Sequence, residues 1–230
     1  MKILGVIPAR SKSKGIKDKN IKHIHGKELI YYTIKRAKES KLINCLISST
    51  DSKKYKNIFK KYGIWTPILR PKKLATDSSN IIETLIYKTK YIEKTKNIKF
   101  DYVVLLQPTS PNRMKGEIDK TLKKIINSNS DSLISLCNLN STHPEKMKII
   151  KHNKVLSYIN GASENPPRQK LKKLYVPSGN IYIVKRDILI KKKSLIGKKQ
   201  TFHIIKQKDY VNLDNEDDLN IAKIKLKNFK

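Results

Sequence analysis

Short apolar runs alternate along this chain with segments of helical period. Ile3–Ala9 is a continuous apolar run, the pattern of a strand buried on both faces. Glu28–Glu39 keeps helical spacing, with Leu29, Tyr32, Ile34 and Ala37 available for packing. Cys45–Thr50 predicts a second strand, after which Asp51 or Ser52 caps a lysine-rich helix through Lys61. A third short strand is expected around Ile64–Leu69. Asp77 or Ser78 then starts a helix that places Ile81, Ile82, Leu85, Ile86 and Ile92 at helical intervals. Tyr102–Leu106 predicts a strand, Lys115–Asn127 a helix and Ser132–Leu139 another strand. Strand and helix alternating at this pace imply βαβ units and an α/β fold with a mostly parallel sheet.

The rhythm breaks after residue 139. Two short apolar runs between Met147 and Ile159 flank His152-Asn153-Lys154, a hairpin pattern with a tight turn. Gly161–Gln169 holds too much Pro, Gly and Asn for regular structure. Strands resume at Asn180–Val184 and Phe202–Ile205, and a last helix is expected from about Glu216. Residues 140–177 thus form an excursion from the sheet, suited to a lid or a dimerisation element, within a single domain spanning residues 1–230.

Composition narrows the partners. Fifty-one basic against 19 acidic residues give a net charge of +32, which invites a nucleic-acid reading. Only six of the basic residues are arginines, however, and the lysines are spread over nearly every segment rather than along one stripe. With no aromatic platform or recognisable binding module, nucleic acid ranks low as a partner. Cys45 and Cys137 each fall inside an apolar run, at a spacing that fits neither a zinc site nor a disulfide framework. Buried thiols in a reducing cytoplasm are the expectation. No apolar stretch approaches 18 residues, so no membrane span is expected.

Four polar loops follow predicted strands. The first, Arg10–Asn20, carries Arg10, Lys12, Lys14, Lys17 and Lys19 with hydroxyls at Ser11 and Ser13. Cations, hydroxyls and backbone N–H groups beyond the carboxyl end of a parallel strand suit a polyphosphate. The loop has only Gly15, so it is neither a Walker loop nor a dinucleotide fingerprint. Arg70–Asp77 reads on its own as a proline-fixed turn leading to a helix cap. Gln107–Arg113, made rigid by two prolines, offers two amides, two hydroxyls and a guanidinium, which points toward ligand contact. The fourth, Asn212–Asp218, lies in a stretch (Asp209 to Asp218) that gathers five of the 19 acidic residues. Glu216, Asp217 and Asp218 suit a helix's first turn, which leaves Asp214 as the candidate ligand for a hard cation. The five histidines form no constellation, and no nucleophile elbow is present.

Together these motifs resemble those of the CMP-sialic acid synthetases, cytidylyltransferases that activate nine-carbon acidic sugars. The resemblance rests on Ile7-Pro8-Ala9-Arg10-Ser11-x-Ser13-Lys14-Gly15…Lys19-Asn20, Arg70-Pro71…Leu74-Ala75-Thr76-Asp77 and Leu105-Leu106-Gln107-Pro108-Thr109-Ser110-Pro111-x-Arg113. It continues in order through His143-Pro144, Arg168-Gln169, Ser178–Ile183 and Leu213-Asp214…Glu216-Asp217-Asp218-Leu219. It implies a Rossmann-like nucleotidyltransferase fold, CTP and a nine-carbon 2-keto sugar acid as substrates, Mg²⁺ as cofactor, and a homodimer built through the 140–177 excursion. By the same resemblance Arg10, Lys14 and Lys19 would hold the triphosphate, with Ser13, Gly15 and Asn20 completing the loop. Arg70, Ala75 and Asp77 would lie near cytosine and ribose. Gln107, Arg168 and Gln169 would face the sugar acid, and Asp214, with Asn212 beside it, would bind the metal. Lys12, Asn180 and Asn212 depart from the family's usual residues, which are a small residue, an alanine and a first aspartate. The acceptor stays open among N-acetylneuraminic, legionaminic and pseudaminic acids, with the eight-carbon sugar Kdo ranked lower. A non-catalytic basic binding module is the rival from another class.

Overall fold

In the computed structural model, which describes residues 1–13, 15–138 and 143–229 apart from the Arg168 side chain, most of the predicted runs become regular elements. In chain order these are β1 (Ile3–Pro8), β2 (His23–Ile24), β3 (Lys27–Glu28), α1 (Leu29–Lys38), β4 (Cys45–Ser49) and α2 (Lys53–Lys61). Next come α3 (Ile81–Lys96), β5 (Tyr102–Leu105), α4 (Glu117–Asn127), β6 (Ser132–Cys137), β7 (Lys148–Lys151) and β8 (Lys154–Ser157). The chain finishes with β9 (Val176–Lys185), α5 (Arg186–Lys192), β10 (Gln200–Ile205) and α6 (Glu216–Leu226).

Six strands make one sheet in the order β10-β6-β9-β5-β1-β4. β1 runs parallel to β4 and β5, and β10 parallel to β6. β9 alone runs antiparallel, between β5 and β6. The alternation of a strand sorts β1 between two layers. Ile3 and Ile7 pack with Ile30 and Ile34 of α1, Phe59 of α2 and Leu122 of α4, while Leu4 and Val6 pack with Leu85 and Ile92 of α3 and Leu189 of α5. Each such side chain taken from water contributes about 1.5–3 kcal/mol. A third cluster joins Leu219, Ala222 and Leu226 of α6 to Leu29 and Tyr32 of α1, and to Ile16 of the loop after β1. That packing fixes the acidic loop before α6 against the basic loop after β1.

Several boundaries differ from the pattern. Ile64–Leu69 forms no strand; a single bridge pairs Trp65 with Ile47, and Pro67 follows with no N–H to extend the ladder. The cap of α3 is Asn80, whose side chain accepts from the Ile82 N–H, and not Asp77 or Ser78. Ser52 caps α2 as expected. The lysine-rich stretch after β9 contains α5, which the pattern did not reveal. Asn180–Val184 proves to be the interior of the longer, antiparallel β9. The hairpin pattern holds: β7 and β8 pair in register, and His152 and Asn153 both take positive φ, 50° and 57°, as a two-residue type I′ turn requires. Among the described residues no helix is long and apolar enough to cross a membrane.

Candidate active site

β1 and β5 both end at one cavity of about 430 Å³ beyond their carboxyl ends, the position where open α/β sheets bind ligands. Its wall includes Arg10, Ser13, Gly15, Lys19, Asn20, Arg70, Asp77, Gln107 and Asp214. Residues from all four sequence loops therefore converge on one space.

The loop after β1 is tied down by its polar groups. Asp51 accepts from both the Ser11 N–H and the Ser11 hydroxyl at 2.8 Å. Asp18, held in the left-handed region at φ 54°, accepts from the buried Tyr55 hydroxyl at 3.1 Å. Burial and the Asp18 charge push the Tyr55 pKa well up, so it remains a donor. The Asn20 amide donates to the Arg10 carbonyl at 3.1 Å. Gly15 meets the acidic loop so closely that a Cβ there would lie 2.1 Å from the Asp214 carbonyl oxygen. Only glycine allows this approach.

Each cation in the cavity stands by an anchoring partner. Arg10 Nη1 donates to the Thr76 carbonyl at 2.7 Å and pairs with Asp77 at 2.8 Å. Lys19, almost buried, donates to the Leu213 carbonyl at 2.6 Å and lies 3.6 Å from Asp214 Oδ1. Arg70 donates to the Ser49 hydroxyl and carbonyl at 3.2 and 2.7 Å, and its own N–H bonds the Thr50 carbonyl. Desolvation pulls its pKa down to about 10, against the opposing pull of Asp51. Behind it, fully buried Lys88 of α3 donates to the Ile68 carbonyl, and burial with the nearby Arg70 charge lowers its pKa to about 8.

Asp214 projects its carboxylate to solvent, 72% exposed, and its Oδ2 accepts from Asn212 Nδ2 at 2.7 Å. Asp218 and Asn215 form the capping box of α6, so the acidic run divides into a helix start and, before it, the exposed Asp214 carboxylate. No group of three His, Cys, Asp or Glu side chains is placed to cage a metal among the described residues. One exposed carboxylate at the cavity wall suits a hard divalent cation that takes its other ligands from phosphate oxygens and water. In this arrangement Asn212 turns its N–H₂ group, not its oxygen, toward Asp214.

Other residues stand differently from the motif reading. Ala75 does not line the cavity although Leu74 and Thr76 on either side do, and Gln169 is exposed in a short 3₁₀ turn away from that wall. Lys14 and the Arg168 side chain lie outside the described residues. Arg113 is the clearest correction: it is fully buried and donates to the Asn180 carbonyl, the Thr33 hydroxyl and the Gln107 carbonyl at 2.7–2.8 Å. It braces the Gln107 loop from behind and presents nothing to a ligand; burial lowers its pKa to about 9. Gly179, at φ 75°, lets β9 pass that loop, since a Cβ would meet the Ser110 hydroxyl at 2.4 Å. The cavity wall also contains Thr76 of the Arg70–Asp77 motif, and Ser79, Ile81 and Thr84, which lie outside every motif. Thr84 and Lys88 do carry a signal: both are polar residues on the helical face that Ile81, Leu85 and Ile92 mark as buried.

The cytidylyltransferase family model matches residues 4–228. The chain is 31% identical over 225 residues to post-translational flagellin modification protein B of Campylobacter coli, covering 98% of this chain and 95% of that protein. It is 30% identical to CMP-N,N'-diacetyllegionaminic acid synthase of Campylobacter jejuni, over 98% and 96% of the two chains. A similar 30% relates it to N-acylneuraminate cytidylyltransferase of Streptococcus agalactiae, but there it spans only about half, 52%, of the relative's length. In fold it is similar to CMP:2-keto-3-deoxy-manno-octonic acid synthetase complexed with CTP, with a TM-score of 0.72 at 16% identity over 97% and 98% of the two chains. A match running almost end to end, with relatives of equal length at 30% identity and this nucleotidyltransferase architecture, establishes that the chain belongs to the cytidylyltransferase family, as an enzyme resembling the CMP-sialic acid synthetases.

Proposed function

We propose that this enzyme transfers CMP from CTP to the anomeric hydroxyl of a nine-carbon 2-keto sugar acid, with Mg²⁺ as cofactor. N-acetylneuraminic acid and legionaminic acid lead the acceptors, since a relative matched over nearly its whole length is named for a legionaminic acid and one matched over half its length for N-acylneuraminate. The observation that carries the reading is the convergence of Arg10, Lys19, Arg70 and Asp214 on one cavity at the ends of parallel strands.

In the reaction the anomeric oxygen forms a bond to the α-phosphorus and the bond to the β-phosphate bridge breaks. Pyrophosphate leaves with that electron pair, and the hydroxyl proton passes to solvent. Such transfer depends on positioning and charge stabilisation more than on a covalent nucleophile. Arg10 and Lys19 would bind the phosphates, already oriented by Asp77, Thr76 and Leu213. Gln107, held by Arg113 and Gly179, would meet the sugar acid. Mg²⁺, held through Asp214 and phosphate oxygens, would neutralise charge on the departing pyrophosphate. Asn212 would act through Asp214 by fixing its carboxylate.

The test is pyrophosphate release from CTP and Mg²⁺ with N-acetylneuraminic, legionaminic or pseudaminic acid, Kdo, or no sugar, for the native chain and Asp214→Ala. Release with a nine-carbon acid that falls about 100-fold in the variant is expected, in line with losing a group that stabilises transition-state charge. No release with any sugar would overturn the assignment, and full activity of Asp214→Ala would remove the metal role.

A further inference from the structure

Thr84 stands on α3 one turn after Ile81 and one turn before Lys88. Its side chain is 1% exposed yet forms part of the cavity wall, and its hydroxyl has no hydrogen-bond partner among the described residues. Two other helical threonines bond back to their own helix, Thr95 donating to the Tyr91 carbonyl and Thr121 to the Ile118 carbonyl, while Thr33 accepts from Arg113. A buried hydroxyl left unpaired is costly, so its partner is expected to come from whatever enters the cavity. Thr89 also lacks a partner, but it lies outside that wall.

The surroundings indicate which part of a ligand it meets. Apart from Arg70, the formal charges of the cavity among the described residues are Arg10 paired with Asp77 and Lys19 beside Asp214, and the two cations mark where phosphates belong. Thr84 shares its stretch of wall with Ile81 of the same helix, and Lys88 one turn on faces the segment leading to Arg70. Apolar surface with one unpartnered hydroxyl and one guanidinium suits a flat, neutral ring with a polar edge; the Thr76 and Ser79 hydroxyls nearby already bond each other and the Lys73 carbonyl. A hydroxyl both donates and accepts, so it complements Arg70, which only donates. We infer that the Thr84 hydroxyl hydrogen-bonds the polar edge of the nucleotide's pyrimidine ring and, beside Arg70, sets affinity for the base. The inference rests on the CTP reading above.

Calorimetric titration of the full chain with CTP, and separately with inorganic triphosphate, in Mg²⁺ tests it. Thr84→Val keeps the side chain's shape and removes the hydroxyl. It should weaken CTP binding about five- to tenfold, the loss of one hydrogen bond to ligand, without lowering the melting temperature. Triphosphate binding should stay within about twofold, and Thr84→Ser should bind CTP within about twofold of the native chain. Native CTP affinity in the valine variant, or an equal loss for triphosphate, would overturn the inference. Native protein that binds CTP no more tightly than triphosphate would overturn it together with the CTP reading. Tight, hydroxyl-dependent CTP binding without pyrophosphate release would sink the sugar-acid reaction and leave the Thr84 contact standing.

Discussion

Lys88→Met should convert a pH-dependent part of this protein's stability into a constant. The ammonium is fully buried, donates to the Ile68 carbonyl, and titrates near 8 where an exposed lysine titrates near 10.5. Between those two values the unfolded chain binds more protons at this site than the folded one, so stability rises with pH. Below pH 8 both states hold the proton, and the buried charge carries its full cost of about 3 kcal/mol. Integrated over the titration, the native chain should gain about 2 kcal/mol from Lys88 between pH 7 and pH 9.5. Methionine keeps most of the stem volume and cannot titrate. It also strands the Ile68 carbonyl, a pH-independent loss of about 1–3 kcal/mol. Urea unfolding of both proteins at pH 7, 8, 9 and 9.5 isolates the effect, because every other titrating group is common to the two. Their difference should move in favour of the native chain by about 2 kcal/mol across that range. A difference flat to within about 0.5 kcal/mol would show that Lys88 reaches solvent and is not the buried ammonium described.

Three further outcomes are expected. Gly15→Ala puts a methyl 2.1 Å from the Asp214 carbonyl and must part the two loops; pyrophosphate release should fall about 100-fold, and a loss under twofold would show that the loops yield. Arg113→Met strands two buried acceptors and one half-buried one and should lower unfolding free energy by about 3 kcal/mol in urea titration, whereas an unchanged midpoint would mean the guanidinium braces nothing. Ile150 and Val155 are 79% and 69% exposed on the β7–β8 hairpin, an apolar surface we propose is covered by a second copy of the chain. Sedimentation should then show a native dimer and a folded monomer for the Ile150→Glu, Val155→Glu variant; a native monomer would remove the proposal.

Elements that repeat one period over many residues were legible in the sequence, and so were loops whose chemistry is unusual. Ile3–Ala9 could be read because a strand buried on both faces needs nothing but apolar residues. The cavity set of Arg10, Lys19, Asn20, Arg70, Asp77, Gln107 and Asp214 was legible as motifs. What side chains do after the chain folds was less so. Arg113 is as polar as Arg10 in the sequence, and only the packing of α1, the Gln107 loop and β9 around it makes it a brace. Ile64–Leu69 has the composition of a strand, but Pro67 and the turn that delivers Arg70 to Ser49 prevent one. The direction of β9 was hidden because an antiparallel strand inside a parallel sheet has the same apolar run as its neighbours. Thr84 sat unremarked on its helix because the lack of a partner is a property of three dimensions.

The reversed direction of β9 has a consequence for how this chain tolerates change. Pairing of Cys137 with Val176 and of Leu136 with Pro177 closes the sheet at the edge where the cavity opens. β6 and β9 are therefore the two stems of one long hairpin, and the described residues 143 to 175 lie between them in the chain. The length and sequence of that segment can be altered without disturbing the register of any strand below. A cut by a protease within it would leave the sheet's pairings whole and the two fragments associated. For engineering, the neck where Cys137 pairs with Val176 marks where a new segment could be grafted onto an unchanged sheet.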